Sequence, residues 1–206
     1  MTKTIQTEGV PETHRERILS AAAESFLELG FERTSTAEIA RRAKVSKREI
    51  YAYFDDKRAI LTASITELQG EMQSQMGGIW TSSEDLEVVL PKAAKILTKY
   101  ILSDRFSKLL RIVATDSYHN PQAATQFFEM GPNVGRKATA TYMKSQMNRG
   151  KLRKADPLKA ADDFLDLVIG AQLMTAVILG QVDRAPLRRD HIKHAVEMFM
   201  KNYATS

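Results

Sequence analysis

The sequence predicts an all-α protein, with a unit of short helices at its N-terminus and a larger helical domain behind it. Three observations carry that expectation. Apolar residues recur three and four positions apart along almost the whole 206-residue chain, which is the period of a helix face. No stretch alternates polar and apolar residues as a half-buried strand does. Finally, Thr13/Glu16, Ser35/Glu38 and Ser46/Glu49 each precede an apolar spacing, as the capping boxes that open helices do.

Residues 1–10 are polar and lack periodicity, and they read as a flexible arm. From the Thr13 box onward, Ile18, Ala22, Phe26 and Leu29 give the first helix one apolar face. Gly30 is placed to end it, because glycine takes the left-handed backbone of a helix C-terminus without strain. The Ser35 box opens a short helix to about residue 42, with Ile39 and Ala43 facing inward. The Ser46 box opens another to residue 54, with Ile50, Tyr51 and Phe54 as anchors. Helices this brief do not persist alone and must pack on the first. Asp55 or Asp56 caps a fourth helix that Ala59, Ile60, Ala63 and Leu68 carry into the low seventies, and Gly77-Gly78 is the expected break.

Ser82-Ser83 then starts a helix through Leu86, Val89, Leu90, Ala93, Ile96, Leu97 and Tyr100, in which Pro91 implies a kink or a restart. Residues 106–113 keep helical spacing. Asn120-Pro121 is a cap with a first-turn proline. Gly131-Pro132 and Gly135 interrupt the helical spacing, before Tyr142, Met143 and Met147 resume it. Residues 150–155 form a basic loop, and Asp156-Pro157 opens a helix to about residue 179. That helix is apolar on more than one side and so is expected to be buried all round. Pro186 breaks the chain before a last helix with Ile192, Ala195, Val196, Phe199, Met200 and Tyr203.

Composition narrows the function classes. The absence of cysteine excludes disulfides, thiolate catalysis and Cys-ligated metals. No run of about 18 apolar residues spans a membrane, and no basic start leads into an apolar stretch as in a secretory signal, so a cytoplasmic location is expected. The net charge of +5 is compatible with polyanion binding. Its distribution matters more. Residues 1–60 carry 11 Lys/Arg against 10 Asp/Glu, whereas residues 31–60 carry 8 against 5. Two short helices joined by a tight turn, the second presenting Lys47, Arg48, Tyr51 and Tyr53, suit a duplex groove. Double-stranded DNA is therefore the expected partner.

The pattern Arg15, Ile18, Ala22, Phe26, Gly30, Phe31, Thr34, Ser35, Ile39, Ala40, Ala43, Val45-Ser46-Lys47, Ile50-Tyr51, Tyr53-Phe54, Lys57 and Leu61 resembles the N-terminal domain of the tetracycline-repressor (TetR) family. The stretch 150–157, Gly-Lys-Leu-Arg-Lys-Ala-Asp-Pro, continuing into Ala160-Ala161, looks like a segment of members with AefR-like C-terminal domains. The resemblance implies a helix-turn-helix DNA-binding domain over 11–56 and a ligand-binding and dimerisation domain over 57–206. It implies that helix 46–54 enters the major groove. Lys47 or Arg48 would donate to guanine O6 and N7, Thr34, Ser35, Tyr51, Tyr53 and Lys57 would hold the DNA backbone, and Ser46 at the helix start counts among the DNA-binding residues. Many members have glycine where this chain has Arg48, so the operator sequence is not carried over from relatives. Tyr51 has a second reading, as filling for the small core; Glu49 reads as a cap, and Arg41 and Arg42 as solvated charges.

One three-helix unit reads few base pairs, so a homodimer on a palindromic operator is expected. Its surface would be helices 157–179 and 187–203, through Phe164, Val168, Ala171, Thr175, Ile178, Ile192, Val196 and Phe199; alternatively, the first of these helices is simply monomer core. The resemblance also implies a pocket for a small hydrophobic or aromatic effector. Its candidate lining residues are Met72, Met76, Trp80, Tyr100, Phe106, Tyr118, Phe127, Phe128, Tyr142, Met143, Gln172 and Met174, each of which also has a plain core reading. Release of a repressor by that effector, through a lever at residues 57–76, is the expected response. The alternatives are a DNA-binding regulator without an effector and a helical enzyme. His191 and His194, with Asp190 and Glu197, have a metal-compatible spacing, but no nucleophile constellation accompanies them. Neither cofactor nor metal nor enzymatic activity is expected.

Overall fold

The computed structural model describes residues 13–178 and 190–205, apart from the side chains of Ala171, Thr175 and Ala176. The expected arm 1–10 and the break at Pro186 lie outside the described residues. Those residues form ten α-helices and no strand. The helices are α1 (His14–Leu29), α2 (Thr36–Ala43), α3 (Lys47–Tyr53), α4 (Lys57–Trp80), α5 (Leu86–Ile101), α6 (Asp104–Asp116), α7 (Pro121–Met130), α8 (Pro132–Asn148), α9 (Pro157–Ile178) and α10 (His191–Tyr203). The chain divides into two compact units that part between Ser64 and Ile65, inside α4.

In the smaller unit, Ile18, Ala22, Phe26, Phe31, Ile39, Ile50, Phe54, Ile60 and Leu61 make a buried core. The Thr13 box is complete: Glu16 N–H donates to the Thr13 hydroxyl and Thr13 N–H to the Glu16 carboxylate. Gly30 ends α1 at φ +82°, ψ 155°, a region open to glycine but distinct from the expected left-handed helical one. The Ser35 box is only half formed. Ser35 accepts from Glu38 N–H, yet the Glu38 carboxylate is held by Arg41 and Arg42. Charge-assisted bonds to two guanidinium groups outcompete a neutral backbone amide.

The larger unit corrects several sequence expectations. α4 continues through Gly70, Gly77 and Gly78 to Trp80. Each glycine costs about 1 kcal/mol relative to alanine, and the packing of Met76, Ile79 and Trp80 on the core offsets that cost. α5 begins at Leu86, because the Ser82 hydroxyl instead accepts from Glu84 N–H in a preceding turn. Pro91 neither restarts nor interrupts that helix. Gly131 separates α7 from α8, whereas Gly135 lies within α8.

α9 is not buried all round. Ala160, Ala161, Phe164 and Val168 are fully enclosed, but Leu167, Met174 and Ile178 stand exposed. The loop 150–155 is stapled to the C-terminus by a bridge between Leu152 and Ala204 and by Arg153 N–H donating to the Tyr203 carbonyl. The Arg153 guanidinium donates to the Asn202 carbonyl and lies 4.8 Å from the Tyr203 ring centroid.

Candidate nucleic-acid interface

The smaller unit presents α3 as a short, rigidly capped helix. Ser46 accepts from Glu49 N–H at 3.1 Å, and the Glu49 carboxylate accepts from Ser46 N–H at 2.7 Å, completing the third box. That bond to the Ser46 amide holds the Glu49 carboxyl below its ordinary range. A second Glu49 oxygen pairs with His14 Nδ1 at 2.9 Å and so ties the start of α1 to the start of α3. Ile50, fully enclosed, anchors the inner face.

On the outer face stand Lys47 and Arg48, both exposed and without a salt-bridge partner among the described residues. Tyr51 and Tyr53 are 54% and 51% exposed, which rules out core filling for Tyr51. The Tyr51 hydroxyl lies 3.2 Å from the Thr36 hydroxyl and so braces α3 against α2. Ser35 and Ser46 are exposed caps.

One expected backbone contact is corrected and a second is partly engaged within the protein. Thr34 is buried, and its hydroxyl is shared between the Gly30 carbonyl at 2.8 Å and the Ser25 carbonyl at 3.1 Å. Lys57 donates to the carbonyls of Phe31 and Glu32 at 2.8 and 2.9 Å, with its ammonium 4.6 Å from the centroid of the Phe31 ring. Thr34 closes the α1–α2 turn from inside, whereas Lys57 is only half-buried and holds the same turn from its rim. Sequence reasoning missed Thr36 and His14, which act through partners 15 and 35 positions away, and Lys44, whose left-handed backbone (φ 52°) shapes the turn between α2 and α3.

The match to known proteins agrees with this geometry. Residues 18–63 match the model of bacterial regulatory proteins of the tetR family. Residues 88–205 match the AefR-like transcriptional repressor C-terminal domain, which alone covers more than half of the chain. The chain belongs to the TetR family. It is 23% identical over 184 residues to the HTH-type transcriptional regulator YhgD of Bacillus subtilis, covering 89% of this chain and 92% of that one. A TetR-family transcriptional regulator from Mesorhizobium loti superposes with a TM-score of 0.77 at 25% identity, over 93% of this chain and 97% of its own. The flavonoid-responsive regulator FrrA superposes at 0.70 with 28% identity, also over 93% and 97%. TetR-family membership makes this a DNA-binding transcriptional regulator, in a family of regulators and not of enzymes.

The residues expected to line a TetR effector pocket fall into separate groups. Tyr100, Phe106 and Phe127 form one aromatic cluster, with centroid spacings of 4.9 and 6.1 Å. Burial drives the Tyr100 hydroxyl pKa well up. Trp80 lies 4.9 Å from Tyr142 in the main core with Met72, Met76 and Met143, and burial pushes Tyr142 up to about 12. Gln172 is buried against His191, whose Nε2 lies 2.8 Å from the Val168 carbonyl and thus faces α9. Tyr118, Phe128 and Met174 are 88%, 53% and 62% exposed and stand apart from the buried groups. A groove of about 480 Å³ lies elsewhere, between α9 and α10, lined by Asp163, Asp166, Leu167, Met198, Phe199, Asn202 and Tyr203.

The expected dimer residues divide as well. Phe164, Val168, Val196 and Phe199 are buried within the protomer, although Phe199 also lines the groove between α9 and α10. Ile178 is 65% exposed and Ile192 half-buried. The side chains of Ala171 and Thr175 lie outside the described residues.

Proposed function

We propose that this regulator binds a palindromic operator as a homodimer and represses until a small hydrophobic or aromatic effector releases it. The observation that carries the DNA half is the pair Lys47 and Arg48. They have no acceptor among the described residues, sit on the first turn of a helix fixed by a complete box, and precede outward Tyr51 and Tyr53. First-turn residues of a recognition helix reach base edges, and an arginine or lysine bidentate to guanine discriminates by about 1–3 kcal/mol. Ser35, Ser46, Tyr51 and Tyr53 take the phosphate contacts that set register.

Support for the dimer comes from Leu167, Met174, Ile178 and Met198, apolar side chains left in solvent on α9 and α10. The likeness to a flavonoid-responsive regulator favours a planar aromatic effector. The test is selection of duplexes from a random pool, then binding to the winner. An inverted repeat is expected, and Lys47→Ala with Arg48→Ala should lower operator affinity about a hundredfold while leaving the melting temperature unchanged. A pool that yields no motif sinks the reading.

A further inference from the structure

We propose that the outer face of α8 is a second surface for nucleic-acid phosphate, separate from the recognition helix. Between Glu129 and Asp156 the chain carries seven basic residues and no acidic one, a stronger local excess than in the helix-turn-helix segment. Three of the seven are occupied internally. Arg136 pairs with Asp162 at 2.5 Å, Lys151 with Asp85 at 2.6 Å, and Arg153 holds the Asn202 carbonyl. Lys137, Lys144, Arg149 and Lys154 remain exposed, with no ion-pair or hydrogen-bond acceptor for their side chains among the described residues.

Their placement is set by helix geometry. At 3.6 residues per turn, Lys137, Thr141, Lys144 and Asn148 fall within about 60° of arc, and the two lysines stand roughly 10 Å apart along the axis. The opposite face, with Thr139, Ala140, Met143, Gln146 and Met147, is buried. From residue 137 to the end of α8, every exposed position is a cation, a hydroxyl or an amide. Such a set hydrogen-bonds phosphate and offers nothing to an apolar partner.

A plain solvated helix face mixes both signs, as elsewhere in this chain where Lys92 meets Glu84 and Lys108 meets Asp104. The helix dipole accounts for Arg149 at the C-terminal end of α8, but its influence dies within a turn and does nothing for Lys137 three turns away. The charge complement of the face is a polyanion. The polyanion that a DNA-binding regulator of this family engages is DNA.

The test uses the full-length protein and a short duplex of arbitrary sequence, titrated across a range of salt concentrations. One variant carries Lys137→Gln, Lys144→Gln, Arg149→Gln and Lys154→Gln. A control loses the same charge through Lys95→Gln, Lys99→Gln, Arg111→Gln and Lys201→Gln. The log–log salt slope should fall by about 0.9 for each phosphate contact removed, so by about 2 to 4 in the α8 variant, with little change in the control. Lys47→Ala with Arg48→Ala should instead lose discrimination for the selected operator and keep most of the slope on arbitrary DNA. Equal slopes in wild type and the α8 variant overturn the proposal and leave the face to an acidic protein. Equal losses in variant and control overturn it too, since net charge alone then explains the effect. Melting temperatures matching wild type exclude misfolding as the cause.

Discussion

The hydroxyl of Thr34 lies in a buried notch between α1 and α2, where its single proton serves two main-chain carbonyls. Its work is therefore structural. Replacing Thr34 with valine keeps the shape and removes the donor, which should destabilise the smaller unit by about 1–3 kcal/mol. Chemical denaturation reads that loss, and operator affinity per folded molecule should stay at the wild-type level. A fall in affinity at full folding would return Thr34 to the DNA surface. Lys57 is engaged only in part, with two of its three donors given to carbonyls. By contrast, Lys47 and Arg48 have nothing within the described protein to hold, and this makes them available.

At the scale of elements, the α1–α2 corner is pinned by charge. Arg42 bridges Glu28 and Glu38 at 2.7 Å each, and hydrogen bonds from Arg41 and then Arg42 hold the Glu38 carboxyl at about 2, below its ordinary 4.5. A depressed carboxyl contributes stability above its unfolded value and loses it as the pH falls toward the folded one. The gap in melting temperature between wild type and Glu38→Gln should therefore narrow as the pH drops from about 5 toward about 2, and shrink in high salt because the cluster is exposed. A gap independent of pH would assign Glu38 no ionic role. How well each element could be read in advance depended on the range of its determinants. Thr13, Ser46 and Asn120 cap as expected because a cap is settled within three residues. Ser35 half failed because its partner answers to Arg41 and Arg42. Gly77-Gly78 failed as a break because packing, invisible locally, outweighs propensity. Exposure was the least legible property: Phe164 and Ile178 look alike in sequence, yet one is sealed and the other bare.

At the scale of the whole molecule, charge is spread against first intuition. Residues 1–60 hold 11 of the 30 basic and 10 of the 25 acidic residues, so most of the positive excess belongs to the larger unit. Association is predicted there as well. Leu167→Glu with Met174→Glu should convert the proposed dimer to monomer in sedimentation and weaken binding to the proposed inverted repeat about tenfold or more, because the second half-site contact becomes intermolecular. A double variant that stays dimeric would move the interface elsewhere. The long helix α4 is uneven along its length. From its start to Gln69 it sets Ile60, Leu61, Ile65, Leu68 and Gln69 into protein interior, whereas beyond that point only Met76 is fully covered and Gly70, Gly77 and Gly78 face open space. The helix thus has a stiff half and a compliant half. That second half owes its helical form to one seam of contacts, Met72, Met76, Ile79 and Trp80 against the core of the larger unit, and not to its own propensity.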